Sequence, residues 1–184
     1  MSFKNLKKAA TLIINAGVKN GGKGEFDYKV MLLKRTSQMR AAPGFHVFPG
    51  GKYDEPSEEC HKWLQVFFGA SQIDKMKSKP SLINEHFKGS VNNFTLGRLV
   101  EREATGELRL PLEISFRLCA IRETFEETGL LLAKRKKRDA SSSYEQADQY
   151  VSHLPMERSE SSKWRKRLEK SSAEFVNMCL ELDL

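Results

Sequence analysis

The stretch Arg122–Leu130, which reads R-E-T-F-E-E-T-G-L, decides the fold of this chain. On an α-helix of about 3.6 residues per turn, Glu123, Glu126 and Glu127 lie on one side, and Gly129 marks the helix end. The opposite side carries an apolar stripe at helical spacing, formed by Ile114, Leu118, Ile121 and Phe125. We therefore predict a helix that opens at Pro111, buries one side and gathers three carboxylates at its C-terminal end.

The placement of these three glutamates is electrostatically unfavourable. The C-terminal end of a helix carries partial negative charge, and like charges about one turn apart repel each other. A divalent cation removes the conflict, and Mg²⁺ or Mn²⁺ suits carboxylate oxygens best. An acidic face exposed to water is the alternative, and the helix alone leaves both interpretations open.

The composition indicates a single domain with an anionic partner. The chain has 184 residues and a net charge of +7, which favours nucleotides, phosphate esters or acidic surfaces. Cys60, Cys119 and Cys179 are few, odd in number and without metal spacing, so we expect a reducing compartment. No apolar run is long enough to span a membrane. The basic run 134–138 lacks interleaved aromatic residues, so we expect a solvated loop and no nucleic acid partner.

Three strands are predicted before the long helix. Ala9–Ile14 and Tyr28–Leu33 are rich in β-branched and apolar residues, and the two can pair as an antiparallel hairpin. Phe45–Phe48 is a shorter strand that ends at Pro49-Gly50-Gly51. We find no convincing strand after residue 132.

The rest of the chain is predicted to be helical or mobile. Residues 57–112 form a helical insertion, and residues 134–161 form a charged, serine-rich segment that we expect to be mobile. Ser162–Leu182 is predicted as one helix, because its apolar residues continue at helical spacing.

The stretch Arg122–Leu130 matches the second half of the Nudix box, R-E-U-x-E-E-x-G-U, in which U is aliphatic. Only Thr124 departs from the pattern. Phe48–Gly51, F-P-G-G, has the usual form of the first half, but Gly51 and Arg122 are 71 positions apart (122 − 51), about 57 more than in an ordinary box. The first carboxylate of the box is also displaced, so Glu58 or Glu113 must take its place by folding.

A second motif precedes the box. The coenzyme A signature of Nudix hydrolases reads L-L-T-x-R-[ST]-x3-R-x3-G-x3-F-P-G-G, and this chain has M-L-L-K-R-T at residues 31–36. Arg40, Gly44 and Phe48–Gly51 follow at the matching positions. Two spaced guanidinium groups suit a ligand with several phosphates, because each binds phosphate oxygens bidentately. A basic hairpin loop without a ligand is the alternative.

Together the two motifs resemble those of the Nudix hydrolases, and within them the acyl-coenzyme A diphosphatases. The resemblance implies an α+β fold, an α/β/α sandwich, with a helical insertion that splits the box. It also implies Mg²⁺- or Mn²⁺-dependent hydrolysis of the diphosphate of coenzyme A and acyl-coenzyme A. The products would be 3′,5′-ADP and 4′-phosphopantetheine or its acyl form, and the location would be the peroxisome.

The resemblance also implies roles for individual residues. Arg122 would brace the glutamates, and Glu123 would act as a base or a metal ligand. The metal ligands would be the Gly51 carbonyl, Glu123, Glu126 and Glu127. The catalytic set would be Arg122, Glu123, Glu126 and Glu127, and the substrate would bind Arg35, Arg40, Gly44, Phe48 and Gly50.

The Nudix fold has several strands after the box, so we expect residues 1–184 to be a partial single domain. The final residues, Leu182-Asp183-Leu184, do not match a peroxisomal address, which leaves cytoplasm or mitochondrion as alternatives. Two other functions also stay open. One is an inactive partial domain that only binds coenzyme A, and the other is a Nudix hydrolase for another nucleoside diphosphate derivative. The sequence carries no signal for an oligomeric state.

Overall fold

A computed structural model describes residues 7–17, 28–38, 42–87, 108–135 and 154–184. Within them the chain is a mixed α+β structure, as predicted. The strands are β1 (Ala9–Thr11), β2 (Asn15–Gly17), β3 (Tyr28–Val30), β4 (Leu33–Lys34), β5 (His46–Val47) and β6 (Gly50–Lys52). The helices are α1 (Glu55–Glu58), α2 (Lys62–Phe68), α3 (Ile73–Ser78), α4 (Ser81–His86), α5 (Leu112–Thr128), α6 (Arg158–Leu168) and α7 (Glu174–Glu181).

The strands form three antiparallel pairs, β1 with β6, β2 with β3, and β4 with β5. The predicted hairpin between the first two strands is therefore only partly correct. A hairpin forms, but the partner of β3 is β2, which follows the predicted first strand, whereas Ala10 of β1 lies opposite Gly51 of β6. The two strands approach closely at Gly50, where an added Cβ would lie 2.4 Å from the carbonyl oxygen of Ala10. Only a glycine lets β1 lie this close to the F-P-G-G turn.

Helix α5 packs between the strands and the other helices. On one side its residues Ile114, Leu118 and Phe125 are buried in the main core, and Ile121 packs against it. This confirms the predicted apolar stripe. The main core also contains large side chains from the rest of the chain, including Trp63, Leu64, Leu110, Leu131, Trp164, Phe175 and Met178.

Helix α5 is buried more widely than a single stripe predicts. A second cluster, made by Tyr53, Leu112 and Cys119, lies on another side of the helix. Thr124, the residue that departs from the box, is fully buried, and its hydroxyl donates to the Ala120 carbonyl at 2.8 Å. This bond to the preceding turn satisfies the hydroxyl in a position where an aliphatic residue is usual.

The C-terminal end of α5 lies where the sequence predicts it. Gly129 follows the helix in the left-handed conformation, with φ of 77°, and its N–H donates to the Phe125 carbonyl at 2.8 Å. Glycine adopts this conformation without a Cβ penalty. The helix therefore stops one residue after the acidic stretch.

The prediction of one helix over Ser162–Leu182 is wrong. The structure has two helices, α6 and α7, and residues 169–173 connect them. Ser172 lies in this connection and donates a hydrogen bond to the Asp54 carboxylate. Because serine hydroxyls bond well outside helices, this contact favours the break. We call α6, α7 and residues 169–173 the C-terminal helix pair.

The predicted inserted and mobile segments are only partly described. Within the 57–112 insertion, the described residues before position 88 are mainly helical, and 88–107 lie outside the described ranges. Of the 134–161 segment, 136–153 lie outside them, and α6 begins within its final residues. Leu154 forms an antiparallel bridge with Leu131. None of the helices in the described ranges is both long and apolar enough to cross a membrane.

Candidate active site

Arg122 joins the two halves of the split box. Its side chain is almost completely buried, and its Nε donates to Oε1 of Glu58 at 2.6 Å. Its Nη1 donates to Oε1 of Glu126 at 2.6 Å and lies 3.0 Å from Oε1 of Glu123. Its Nη2 donates to the Lys52 carbonyl at 3.1 Å. One guanidinium therefore contacts the residue after F-P-G-G, the start of the insertion and the acidic helix.

Of the two candidates for the first carboxylate, Glu58 and Glu113, the structure brings Glu58 to Arg122. Glu58 is 2% exposed and also accepts the Asp54 backbone N–H at 2.7 Å. Burial raises the pKa of Glu58, while the charge of Arg122 opposes this rise. Glu113 lies near the other end of α5, where it pairs with Arg117 at 2.9 Å.

The two glycines of F-P-G-G contact two of the glutamates. A Cβ on Gly51 would lie 2.3 Å from Oε2 of Glu123, so no other residue fits there without moving this carboxylate. The Gly50 N–H donates to Oε2 of Glu127 at 3.1 Å. The structure thus brings Gly50 and Gly51 to the acidic face of α5, although 72 positions separate Gly51 from Glu123 (123 − 51).

The electrostatic balance around Arg122 is acidic. Burial raises the pKa of Glu123, the negative charges of Glu126 and Glu127 raise it further, and Arg122 lowers it. Burial alone would lower the pKa of Arg122, but its hydrogen bond to the Glu126 carboxylate and the negative charge of Glu58 raise it above its usual value. Arg122 is therefore held in its charged form.

Arg165 of α6 is a second arginine at this site, and the sequence did not indicate it. Its Nε donates to the Glu126 carbonyl at 2.8 Å, and its Nη2 lies 3.5 Å from the Glu127 carbonyl. A cation at the C-terminal end of a helix offsets the partial negative charge there. The conflict noted in the sequence is thus partly relieved by two arginines. The only local signal was that α5 has no basic residue in its last turn.

A cleft of about 920 Å³ separates the acidic end of α5 from β4 and β5. Glu123 and Glu127 line one wall, which we call the acidic wall. Lys34, Arg35 and His46 line the cleft on the side of β4 and β5, and we call this part of the lining the basic wall. The other lining residues are Thr11, Leu33, Val47, Phe48, Gly50 and Gly51. A cleft of this size is typical of a small-molecule site.

The predicted substrate-binding residues are partly described. Nε of Arg35 is buried and has no hydrogen-bond partner among the described residues. Because an unpaired buried donor costs free energy, an anionic oxygen in the cleft would stabilise it. Gly44, with φ of 76°, donates its N–H to the Arg35 carbonyl at 3.2 Å and so closes the loop. Phe48 lines the cleft, and Arg40 lies outside the described residues.

The donor set around the acidic wall fits a divalent cation in charge and chemistry. The carboxyl groups of Glu58, Glu123 and Glu126 pair with Arg122, that of Glu127 accepts the Gly50 N–H, and Arg165 contacts only backbone carbonyls, so four acidic groups lie near two arginines. Oxygen donors of this kind suit Mg²⁺ or Mn²⁺. In the described part of the chain no three acidic, cysteine or histidine side chains converge on one point, and the Glu126 carboxylate accepts a hydrogen bond from Arg122.

Comparisons with known proteins support the same family. The family model of the NUDT19 Nudix domain matches residues 6–184. The chain is 30% identical to acyl-coenzyme A diphosphatase NUDT19 of Xenopus laevis, over 98% of this chain and 48% of the relative. For the Gallus gallus protein of the same name the identity is 30%, over 98% of this chain and 46% of the relative.

The human acyl-coenzyme A diphosphatase NUDT19 is 26% identical, over 85% of this chain and 39% of the relative. The chain thus spans about half the length, or less, of these curated relatives. No solved structure matches it. The family model covers nearly all of the sequence, and the split box is closed around Arg122. On these grounds the chain belongs to the NUDT19 Nudix domain family.

Proposed function

We propose that this chain carries the site for metal-dependent hydrolysis of the diphosphate of coenzyme A and acyl-coenzyme A. The products are 3′,5′-ADP and 4′-phosphopantetheine or its acyl form. The observation that carries the proposal is one cleft that both the acidic wall and the basic wall line. A polyphosphate ligand that binds together with divalent cations needs both kinds of wall. The names of the three relatives support this substrate class.

The acidic wall is assigned to the metal. Gly51, Glu123, Glu126 and Glu127 would hold Mg²⁺ or Mn²⁺, which when bound neutralises diphosphate oxygens and lowers the pKa of a water molecule. Arg122 fixes the Glu126 carboxylate through a 2.6 Å bond, and the Gly50 N–H fixes that of Glu127. These contacts limit the rotamers of both glutamates before any ligand enters.

Glu123 is assigned the central role on the acidic wall. Its carboxylate packs against Gly51 and lines the cleft, where it either accepts the proton of the attacking water or binds the ion. Arg122 lies 3.0 Å from it and stabilises its charged form. A Glu123→Gln variant that still binds Mn²⁺ at unchanged affinity would favour the role of base.

The basic wall is assigned to the phosphates of the substrate. Arg35 lines the cleft, and its Nε has no hydrogen-bond partner among the described residues, so we assign it to a phosphate oxygen. Arg40 is assigned to the same phosphates on the resemblance alone. Gly44 and Gly50 allow the backbone to turn, and Phe48 offers an apolar ring at the cleft. A peroxisomal location belongs to the proposal too, and imaging the full-length protein fused to a fluorescent protein tests it.

The test is product formation with two matched glutamate variants. The purified chain is incubated with coenzyme A or an acyl-coenzyme A and Mg²⁺ or Mn²⁺, and 3′,5′-ADP is measured by chromatography. We expect product from the wild type and from Glu113→Gln, which changes the same charge on the same helix outside the cleft. Glu127→Gln should lose at least about 100-fold in rate.

Three outcomes would overturn parts of this proposal. A folded wild type that forms no product with either ion would leave only the coenzyme A-binding module. Equal rates for the wild type and Glu127→Gln would remove the metal assignment. Faster turnover of a nucleotide sugar or a dinucleotide than of coenzyme A would instead favour a Nudix hydrolase for another nucleoside diphosphate derivative.

A further inference from the structure

The C-terminal helix pair contacts the candidate active site at two points. One is Arg165 in α6, and the other is Ser172 in the connection between the helices. Most of the pair's buried residues are apolar and belong to the main core, such as Trp164 and Phe175. We call Glu58, Glu123, Glu126 and Glu127 the acidic cluster. The two polar contacts are different, because Arg165 contacts two members of this cluster and Ser172 contacts Asp54, which donates to a third.

Arg165 satisfies backbone groups that α5 itself cannot satisfy. The last carbonyls of any α-helix lack a partner in the helix. In α5 the Phe125 carbonyl accepts the Gly129 N–H, whereas those of Glu126 and Glu127 face the Arg165 guanidinium. The same two residues carry carboxylates of the acidic cluster. Arg165 therefore fixes the backbone beneath them and adds a positive charge beside them.

Ser172 acts on the other half of the box, through Asp54. Its hydroxyl donates to Oδ2 of Asp54, which also accepts the Ser57 hydroxyl at 2.5 Å. The backbone N–H of Asp54 donates to Oε2 of Glu58 at 2.7 Å, and Glu58 accepts Arg122 through its other oxygen. Three hydrogen bonds thus connect the C-terminal helix pair to the arginine of the box.

We infer that Arg165 and Ser172 are positioning residues, which hold the acidic end of α5 and the Glu58 turn at the spacing that the reaction needs. This inference rests on the proposed function, since that function assigns the work of Glu123, Glu126 and Glu127. It adds a requirement that the box motif does not contain. The C-terminal helix pair becomes part of the active site, although it contributes no residue to the cleft lining.

The first test compares Arg165→Ala with Lys166→Ala, which removes one exposed positive charge from the same helix. Turnover number and KM for coenzyme A are measured with Mn²⁺ binding, which the loss of the free-ion electron paramagnetic resonance signal reports. Arg165→Ala should lose about 10- to 100-fold in turnover and in Mn²⁺ affinity with KM little changed. Arg165→Lys, which keeps the cation, should recover part of the loss.

A readout that needs no activity separates this inference from the proposed function. Hydrogen exchange of the Gly50 amide, measured by nuclear magnetic resonance, reports its bond to Glu127. Arg165→Ala should speed this exchange while amides at Ile114 and Leu118 in the same helix stay protected. If the wild type forms no product but the exchange changes in this way, the proposed function fails and the positioning role stands.

The second test compares Ser172→Ala with Ser171→Ala and Ser172→Thr. Ser171 is exposed beside Ser172, and threonine keeps the hydroxyl. Ser172→Ala should lower turnover by about 10-fold, and Ser172→Thr should restore it. The positioning role is overturned if Arg165→Ala and Ser172→Ala match their controls in turnover, Mn²⁺ binding and Gly50 exchange. It is also overturned if they lower the melting temperature alone.

Discussion

Helix α5 carries two arginine–glutamate pairs at a spacing of four residues, and they behave differently. Near its start Glu113 precedes Arg117, and their side chains are 25% and 52% exposed. Near its end Arg122 precedes Glu126, and the arginine side chain is only 5% exposed. The first order agrees with the helix dipole and the second opposes it. The same kind of ion pair thus occurs once in the order that stabilises the helix and once in the order that does not.

The difference teaches which pair serves the helix and which serves the site. An exposed pair of this kind contributes about 0.3–0.5 kcal/mol to stability. A buried pair must overcome the loss of hydration of both charges, so stability alone does not account for it. Arg122 overcomes that loss with further bonds to Glu58 and the Lys52 carbonyl. We call Arg122 and Glu126 the inner pair. They are the centre of a network that joins the halves of the box, which we call the inner network.

The largest effect should come from removing Arg122, with the removal of Arg117 as the comparison. Arg122→Gln should lower the free energy of unfolding by about 3–5 kcal/mol, because Glu58 would stay buried without its partner. Arg117→Gln should lower it by no more than about 0.5 kcal/mol. Urea denaturation followed by circular dichroism measures both. Similar losses for the two variants would show that Glu58 is not held by Arg122 as described.

A second prediction concerns Gly51, which sets the position of Glu123 beside the inner pair. Gly51→Ala would place a Cβ 2.3 Å from the Glu123 carboxylate, which must then move. We expect a loss of about 100-fold in turnover of coenzyme A, as for a displacement of about 1 Å in a reacting group. Gly69→Ala is the control, because a Cβ there meets nothing within 4 Å. Because the φ of Gly69 is 79°, Gly69→Ala should lower the stability of the protein but not the turnover of the folded protein.

The apolar stripe of α5 and its end at Gly129 follow from local sequence, and so they were predicted. The stripe from Ile114 to Phe125 depends only on helical spacing, and the stop at Gly129 depends only on one residue's backbone freedom. The contact between Gly51 and Glu123 was predicted from the motif resemblance, and the structure brings the two together. None of these predictions depended on distant segments of the chain other than the two halves of the box.

The inner network was predicted only in part, because its partners come from distant segments. Glu58 follows Gly51 by seven positions (58 − 51), and only folding distinguishes it from Glu113. The break between α6 and α7 was hidden because Trp164, Leu168 and Phe175 keep helical spacing across it. The bond from Ser172 to Asp54 that accompanies the break is tertiary. Arg165 was missed for the same reason.

A smaller effect concerns the pH dependence of the inner network. Hydrogen bonds from Ser172 and Ser57 lower the pKa of Asp54 below its usual range. A lowered folded-state pKa contributes stability that is present above the unfolded value of about 3.9 and is lost as pH falls through the folded value. The free energy of unfolding should therefore decrease on acidification below about pH 4, and Ser172→Ala should weaken this decrease. An unchanged slope in Ser172→Ala would contradict the role of this bond.

The smallest effect should be the salt response of the two pairs on α5. Double-mutant cycles, measured at low and at 1 M NaCl, isolate the coupling free energy of Glu113 with Arg117 and of Arg122 with Glu126. At 1 M salt the screening length falls to about 3 Å, so the exposed coupling of about 0.3–0.5 kcal/mol should approach zero. The inner coupling should stay within about 0.5 kcal/mol of its low-salt value, because salt does not reach a buried guanidinium. If the inner coupling also disappeared, Arg122 would be a solvated surface residue. The two pairs would then differ only in the order of arginine and glutamate along the helix.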